Sequence, residues 1–377
     1  MPHVPLGGCA SPLKLSPMPT PKLFAPGPVD VSPETFAAMS HTMIGHRGSD
    51  FEELYASLRP GLQSLIGTER PVFLSTSSAW GVMEGALRNL VQKRVLCLCC
   101  GAFSDKWFDV AKKLGYEADK IQVEWGEAID PEAVRSKLAE GGFDTVTFIH
   151  SETSTGVLND LVGVAKVVKS FPDIMLVVDT VSSLSTVPIE MDAIGADVIL
   201  AGVQKALALP PGLAVFAVSE AAMKRAKDIA HRGYYFDFFE FEKNDAKNNT
   251  PSTPSISILF GLQYILSTIK NEGLAQRFDR HAQTNAMIHA WGEKHGFDLF
   301  APEGYRSKAL TCFATPEGFD LTYFIQTLKT KHHFLINGGY GKIKGATFRI
   351  SNMGNETVES VQELIDAMDD VLSKDRS

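Results

Sequence analysis

The segment "ILAGVQKALALPPGLAVF", residues 199–216, contains one charged side chain, Lys205, among residues that are almost all apolar or small. Burying a lysine charge is costly unless the charge is paired, so this position needs an explanation. Either Lys205 lies at the exposed end of a strand, or its amine is placed there to react. The flanking runs, residues 196–202 and 213–219, have the length and apolar character of buried strands. The same pattern extends along the chain and predicts the fold.

Strand-like and helix-like segments alternate through the first two thirds of the chain. We predict seven strands, at residues 70–76, 94–100, 117–125, 145–151, 174–180, 196–202 and 213–219. Helical stretches, such as residues 78–93 and 103–115, lie between most of them. This alternation predicts an α/β fold with a mostly parallel sheet covered on both faces. The run "IMLVV" is apolar throughout, which is typical of parallel strands buried on both sides.

The C-terminal part of the chain has a different pattern. A long helix is predicted over about residues 255–293, broken near Gly273, followed by mixed strands and helices. We therefore predict a large domain over residues 21–270 and a smaller α+β domain over residues 271–377. Residues 1–20 are rich in Pro, Gly and Ser, and we expect them to form an irregular, extended arm.

Composition and charge exclude several classes of partner. The net charge is −8, from 36 basic and 44 acidic residues, and no strong basic run argues for nucleic acid or an anionic membrane surface. No apolar run reaches the roughly 18 residues that span a bilayer. The cysteines are Cys9, Cys97, Cys99, Cys100 and Cys312. They show no metal-ligand spacing, so we expect no metal site, and their odd number without a secretory signal favours the cytoplasm.

Two charged residues follow neighbouring predicted strands. Asp179 ends the strand at residues 174–180, and Lys205 follows the next strand along the chain. Ligands bind at the carboxyl ends of strands in such sheets, and a lysine in an apolar crevice becomes a nucleophilic amine. A lysine that forms a Schiff base, with an acid facing the pyridinium nitrogen, is the pair that pyridoxal phosphate (PLP) requires. Asp179 alone could equally cap a turn with the "TVSS" that follows.

Further strand ends supply the other parts of a PLP site. "STSSAWG", residues 75–81, leads from a strand into a helix, where free N–H groups favour an anion. Ser77 and Ser78 can add hydroxyl donors, although a plain serine N-cap is an alternative. Phe103 lies at a turn on the same sheet edge and could stack on the pyridine ring or simply pack in the core. No Walker or Rossmann glycine fingerprint is present, which favours a single phosphate over a nucleotide.

Seven motifs distributed over residues 24–354 carry a family resemblance. They are "APGPV", "GHRGSDFEELY", "HSETSTGVL", "VDTVSSL", "GVQKALALPPGLAV", "NNTPSTPS" and "FRISNMG". On these motifs the sequence resembles the class V, fold type I, PLP-dependent aminotransferases. The resemblance implies a large, mostly parallel seven-stranded sheet domain with a smaller C-terminal α+β domain. It also implies PLP as cofactor, a homodimer with shared active sites, and ping-pong transfer of an amino group between an amino acid and a 2-oxo acid.

The resemblance also implies roles for individual residues. Lys205 would bind PLP covalently and then act as general acid and base, and Asp179 would face the ring nitrogen. The other cofactor contacts would come from Phe103 (ring stacking), Thr153 (ring hydroxyl), Ser78, Ala79 and Gln204 (phosphate), and Asn249 and Thr250 (phosphate of the partner subunit's site). Arg349 would clamp the substrate α-carboxylate with its planar guanidinium, although a salt bridge is the alternative.

The motifs leave two substrate classes open. His46 and Arg47 match the pair that binds the substrate phosphate in phosphoserine aminotransferases, so we predict a phosphoserine:2-oxoglutarate aminotransferase of serine biosynthesis. "INGGYGKIKGATFRISNMG" instead resembles the alanine– or serine–glyoxylate aminotransferases, which are the alternative. A cysteine desulfurase would need a reactive cysteine on a flexible loop, whereas Cys312 lies in a predicted strand. A non-catalytic binding protein would not need Lys205 and Asp179 together.

Overall fold

The computed structural model describes residues 20–374. Residues 1–19 of the predicted arm, including Cys9, lie outside this range. The strands are β1 (Lys22–Leu23), β2 (Val72–Ser75), β3 (Arg94–Cys99), β4 (Glu117–Gln122), β5 (Thr145–Ile149), β6 (Ser151–Glu152), β7 (Val157–Leu158), β8 (Met175–Asp179), β9 (Val198–Gly202), β10 (Ala214–Val218), β11 (Leu310–Ala314), β12 (Phe334–Leu335), β13 (Asn337–Gly338) and β14 (Thr347–Ser351).

The helices follow in the same chain order. They are α1 (Pro33–Met39), α2 (Ser49–Ile66), α3 (Ala79–Leu90), α4 (Ala102–Lys113), α5 (Pro131–Ala139), α6 (Leu161–Lys169), α7 (Met191–Ile194), α8 (Glu220–Lys227), α9 (Phe238–Asp245), α10 (Ile256–Glu272), α11 (Leu274–His295), α12 (Leu321–Lys331) and α13 (Val358–Lys374), with a 3₁₀ turn at Gly341–Ile343.

All seven predicted strands are present and form one sheet. Its order is β2-β10-β9-β8-β5-β3-β4. Every neighbouring pair from β9 to β4 is parallel, whereas β10 pairs antiparallel with both β9 and β2. The connection from β9 to β10 contains no helix, so the chain turns back beside β9 instead of crossing over the sheet. The prediction of a mostly parallel α/β sheet is confirmed.

Helices cover both faces of this sheet, as the apolar strands require. Along β8, Leu176 and Val178 contribute to the core beneath α2, α5, α6 and α10. Met175 and Val177 point to the opposite face, where α3, α4, α8 and α9 supply the core. This alternation follows from strand geometry and places both faces of β8 in apolar surroundings. The polar ends of the strands are therefore the places where the sheet meets a ligand.

The C-terminal part forms a separate, three-stranded antiparallel sheet of order β11-β14-β13. Trp291 of α11, Phe313 and Phe348 belong to its aromatic core, together with residues of α12 and α13. Gly273, with φ of +85°, separates α10 from α11, which confirms the predicted helix break. The exact domain boundary near residue 270 stays a prediction.

A short segment at the start of the described chain connects the two cores. β1 pairs in parallel with β12, and the neighbouring Phe24 is fully buried in the C-terminal core. A few residues later, the N–H of Val29 donates to the carbonyl of Gln204 at 3.1 Å. The segment therefore runs from the C-terminal core to the loop that carries Lys205. The sequence did not predict β1.

Two further observations concern residues 20–374. No helix in this range is both long and apolar enough to cross a bilayer. No three of its His, Cys, Asp or Glu side chains cluster in a way that could hold a metal ion.

Candidate active site

A cavity of about 340 Å³ lies where the carboxyl ends of β5, β8 and β9 face the C-terminal sheet. Eight residues that the sequence singled out line it together: Ser78, Ala79, Phe103, Thr153, Asp179, Gln204, Lys205 and Arg349. They come from six separate segments of the chain. The fold therefore assembles at one sheet edge most of the positions that the motifs suggested, as expected for a parallel α/β sheet.

Lys205 is buried, and its amine lies inside this cavity. Its Nζ donates to the Thr153 hydroxyl at 2.5 Å and to the Ser182 hydroxyl at 2.8 Å. It also lies 5.4 Å from the centre of the Phe103 ring. Burial lowers the pKa of Lys205 from 10.5 to about 8, and Asp179 partly opposes this effect. With a pKa of about 8, roughly a tenth of the amine is unprotonated at pH 7, against well under a thousandth for a free lysine, and this is the form that reacts with a carbonyl.

Asp179 is the last residue of β8 and is also buried. Burial raises the pKa of its carboxyl from 3.8 to about 6, while the Val181 N–H and Lys205 lower it. One carboxylate oxygen accepts the Val181 N–H at 2.6 Å. Asp179 thus caps the following turn and also lines the cavity, and its role beside the ring nitrogen stays a prediction. A pyridinium nitrogen in the cavity would give the carboxylate a cationic partner, which buried acids need.

Helix α3 points its N-terminus into the cavity. Ser78 precedes it in an extended conformation, with φ of −74° and ψ of 165°, and makes no side-chain capping bond. The alternative of a plain serine N-cap is therefore not realised. Ser77 bonds Ser75 through their hydroxyls at 2.9 Å. The Gly81 N–H donates to the Ser78 carbonyl at 3.0 Å, which leaves the N–H groups of Ala79 and Trp80 at the start of α3 for a ligand. The positive end of the helix dipole favours an anion such as phosphate there.

Arg349 lies in β14 on the opposite wall of the cavity. Its guanidinium donates to the main-chain carbonyls of Gly338, at 3.1 and 3.2 Å, and Thr153, at 3.3 Å. These partners are neutral, so the salt-bridge alternative is not realised. Burial lowers the pKa of Arg349, yet a guanidinium keeps its charge in proteins. A buried, rigidly held cation without a carboxylate partner suits the carboxylate of a substrate.

Four predicted residues do not line the cavity of this chain. His46 is partly buried, with Nε2 lacking a hydrogen-bond partner, and Arg47 is exposed just before α2. Asn249 accepts the Thr250 N–H at 2.8 Å, and the Thr250 hydroxyl donates to the Ser252 carbonyl at 2.8 Å. Binding of a substrate phosphate by the first pair, and of the partner subunit's cofactor by the second, stay predictions.

Sequence reasoning missed several residues of the site. Ser182 bonds Lys205, Tyr340 stacks on Phe103 at 5.4 Å between ring centres, and Glu152 lies buried behind the cavity. Ser182 and Glu152 belong to motifs that the sequence analysis quoted, and their polarity beside strand ends was a usable signal. The stacking of Tyr340 depends on how its loop folds back, and nothing in the local sequence indicates it.

Cys312 does not resemble a reactive thiol. It lies in the middle of β11, it is 3% exposed, and burial raises its pKa to about 12. A nucleophilic cysteine needs an accessible thiolate. The structure therefore gives no support to the cysteine desulfurase alternative.

Comparison with known proteins identifies the family. The model of the class V aminotransferases matches residues 33–364. The chain belongs to this family. It is 32% identical to the serine–glyoxylate aminotransferase of Methylorubrum extorquens over 349 residues, covering 88% of this chain and 86% of that one. It superposes on the alanine–glyoxylate aminotransferase of Nostoc sp. with a TM-score of 0.89 at 30% identity, covering 96% of this chain and 98% of that one.

A phosphoserine aminotransferase from Cytophaga hutchinsonii is also similar in structure. Its TM-score is 0.85 at 23% identity, with 94% of this chain and 99% of that one covered. At this identity the likeness shows the shared fold. The comparisons therefore support the glyoxylate alternative more than the predicted phosphoserine activity.

This class V aminotransferase is a PLP-dependent enzyme, and its cavity fits the cofactor. Lys205 supplies a buried amine, Asp179 supplies an acid in need of a cation, and α3 supplies free N–H groups for the phosphate. Phe103 offers an aromatic face on the cavity wall. The expectation of PLP as cofactor is confirmed.

Proposed function

We propose that this aminotransferase exchanges an amino group between a small amino acid, serine or alanine, and glyoxylate. Its serine–glyoxylate and alanine–glyoxylate relatives support this proposal. The observation that carries it is the charge of the cavity: among its described lining residues, Lys205 and Arg349 are the cationic side chains. Lys205 is the reacting group, which leaves Arg349 for one carboxylate. Glyoxylate, alanine and serine each carry one carboxylate and no other anionic group.

The size of the cavity supports a small substrate. A volume of about 340 Å³ is near the lower end of the roughly 300–1,000 Å³ typical of small-molecule sites. The cofactor occupies part of this volume. Tyr340 and Trp80 also line the cavity and reduce the room for a long side chain.

Each of the following residues has a separate role in the reaction. Arg349 orients the substrate by its carboxylate, and Lys205 moves the proton on the substrate α-carbon. Thr153 and Ser182 hold the Lys205 amine in place through their hydroxyls. Asp179 stabilises positive charge on the ring nitrogen, and bound PLP supplies the carbonyl group and the electron sink.

The experiment that tests this proposal is a panel of donors and acceptors on the PLP-loaded enzyme. Serine, alanine, glutamate and phosphoserine are each paired with glyoxylate, pyruvate and 2-oxoglutarate, and kcat/KM is measured for each pair. We expect serine or alanine with glyoxylate to give the highest value. A higher kcat/KM for phosphoserine with 2-oxoglutarate would overturn the proposal and favour the role predicted for His46 and Arg47.

We further propose that the enzyme acts as a homodimer, with Asn249 and Thr250 approaching the cofactor phosphate of the partner. The exposed aromatic side chain of Tyr234 lies beside this segment, because its hydroxyl donates to the Pro251 carbonyl at 3.1 Å, and Phe36 and Met43 are further exposed apolar side chains of the described surface. Exposed apolar groups of this kind favour an interface between protein chains.

A further inference from the structure

Glu152 is a fully buried acid next to Thr153, and it does not line the cavity. One carboxylate oxygen accepts the Ser154 hydroxyl at 2.6 Å, the Ser154 N–H at 3.1 Å and the Phe103 N–H at 3.4 Å. The other accepts the Ser104 N–H and hydroxyl, both at 3.0 Å. All five donors are neutral groups. The carboxylate is thus satisfied by hydrogen bonds rather than by a cation, which is unusual for a buried acid.

These five donors belong to two segments that carry residues of the active site. Phe103 and Ser104 lie in the first turn of α4, where the helix dipole favours a negative group. Ser154 lies in the turn after β6, directly after Thr153, and its hydroxyl also accepts the Ala102 N–H at 2.9 Å. Glu152 therefore ties the helix that carries the Phe103 ring to the turn that carries the Thr153 hydroxyl.

Gly101 makes room for this arrangement. A Cβ atom at this position would lie 2.4 Å from the Glu152 Cγ and 2.6 Å from both its Cδ and the Ser154 Oγ. The φ of Gly101 is 177°, which any residue can adopt, so space rather than backbone conformation requires a glycine. The segments "CCGAFS" and "SETS" are therefore matched to each other by direct packing.

Glu152 also acts electrostatically on the residues of the cavity. Burial lowers the pKa of Lys205, Asp179 and Glu152 raise it, and Arg349 lowers it. Glu152 likewise contributes to the raised pKa of Asp179 and of Cys100, in each case after burial. Among the described residues, Glu152 raises the pKa values of Lys205, Asp179, Arg349 and Cys100.

We propose that Glu152 is a positioning residue of this aminotransferase. Its carboxylate fixes the Phe103 ring and the Thr153 hydroxyl relative to Lys205. Its negative charge favours the protonated form of the Lys205 nitrogen. The proposal concerns cofactor binding, and it does not depend on which oxo acid the enzyme uses.

The variants Glu152→Gln and Glu152→Asp separate the effect of the hydrogen bonds from the effect of the charge, and neither measurement needs a substrate. The dissociation constant for PLP is measured by titrating the apoenzyme, and the pH midpoint of the visible absorbance is measured on the PLP-loaded enzyme. We expect both variants to weaken PLP binding by about tenfold, because each loses at least one hydrogen bond to a charged group. We expect only Glu152→Gln to lower the pH midpoint, by about 0.5–1 unit, because it removes the charge.

Asp144→Asn is the matched control. Asp144 is buried at the opposite end of β5 and accepts the N–H groups of Gln92 and Lys93 at 2.9 and 2.6 Å. This variant should lose stability but keep the PLP affinity and the pH midpoint of the wild type. Should Glu152→Gln fail to fold, Ser154→Ala, which removes one donor to Glu152, is expected to weaken PLP binding. The proposal is overturned if the Glu152 or Ser154 variants bind PLP as the wild type does, or if Glu152→Gln leaves the midpoint unchanged.

Discussion

Burial shifts the pKa values of Lys205 and Asp179 toward each other. The pKa of Lys205 falls to about 8 and that of Asp179 rises to about 6, and burial is the largest cause in both cases. Each shift means that the charged form is less stable in the folded protein than in water. The apoenzyme therefore holds two destabilised groups, and we propose that bound PLP relieves both, by reacting with Lys205 and by supplying a cation to Asp179.

Replacing Asp179 should stabilise the apoenzyme at neutral pH. Between pH 3.8 and about 6 the folded state binds more protons at Asp179 than the unfolded state, so stability falls as the pH rises through this window. Asparagine does not ionise, so the Asp179→Asn variant does not suffer this loss of stability. We expect its free energy of unfolding in urea to exceed that of the wild type by about 1–3 kcal/mol at pH 7.5. The difference should vanish below about pH 4, and transaminase activity should fall sharply.

Asp130→Asn provides the control for this prediction. Asp130 caps α5 by accepting the Glu132 N–H, and asparagine caps helices about as well. Its free energy of unfolding should stay within about 0.5 kcal/mol of the wild-type value at both pH values. An Asp179→Asn apoenzyme that is less stable than the wild type at pH 7.5 would refute the assignment of Asp179 as a destabilised buried acid.

Whether a site residue could be identified from the sequence depends on whether it directly follows the end of a strand. Lys205, Asp179 and Phe103 follow strand ends, so an alternating pattern was enough to bring them together. Glu152 and Tyr340 owe their roles to contacts with distant segments, and residue type and spacing do not encode such contacts. His46 and Arg47 were singled out by a motif alone, and the fold of one chain does not bring them to the cavity.

At the level of elements, we propose that helix α3 binds the cofactor phosphate through the main-chain N–H groups of its first turn. Ala79 is its first residue, and Ser78 before it is extended, which is the conformation favoured before proline. Proline is also well tolerated at the first position of a helix, where its missing N–H breaks no intrahelical bond. This position thus allows one N–H group to be removed while the helix is kept.

Ala79→Pro should therefore weaken PLP binding without unfolding α3. We expect the dissociation constant for PLP to rise at least about tenfold, since a hydrogen bond to a charged group contributes about 1.5–3 kcal/mol. Circular dichroism of the apoenzyme should show unchanged helix content.

Glu220→Pro is the equivalent substitution away from the cavity. It alters the first residue of α8, and the preceding Ser219 has nearly the same conformation as Ser78, with φ of −70° and ψ of 160°. Its PLP affinity should match that of the wild type. Equal affinities for Ala79→Pro and Glu220→Pro would show that α3 does not bind the phosphate through its N-terminus.

Sequence patterns predicted the existence of the sheet strands better than their direction. All seven strands were predicted because buried strands are continuous apolar runs bounded by polar or glycine-rich segments. The antiparallel course of β10 was not predicted, because hydrophobic periodicity carries no information on direction. The two-residue strands β1 and β12 are too short to give any periodic signal, and they form only by pairing with each other.

At the level of the whole molecule, the proposed dimer can be tested by complementation. Lys205→Ala and the double variant Asn249→Ala/Thr250→Ala are co-expressed with different tags, and mixed dimers are isolated by tandem affinity purification. Each variant alone should be inactive or strongly impaired. Mixed dimers should recover about half of the wild-type activity, because one of the two cavities then has every residue intact.

Co-expression of Lys205→Ala with Asp179→Asn serves as the control. Both residues belong to the cavity of a single chain, so each cavity of the mixed dimer carries one defect and no activity should return. Failure to recover any mixed dimer, or mixed dimers of the first pair without activity, would contradict the cross-subunit role of Asn249 and Thr250.

The connection between β1 and β12 has a consequence for biosynthesis. Lys22 and Phe334 are paired in the finished protein, and the chain just beyond β1 packs against Lys205, where a Cβ on Gly27 would lie 3.1 Å from two of its side-chain carbons. A ribosome makes the early segment first but must add more than three hundred residues before its partner strand exists. The large sheet can form while the chain is still growing, since most of its contacts are made within residues 70–220. The wall of the catalytic cavity closes last, so a nascent chain becomes competent only near the end of translation.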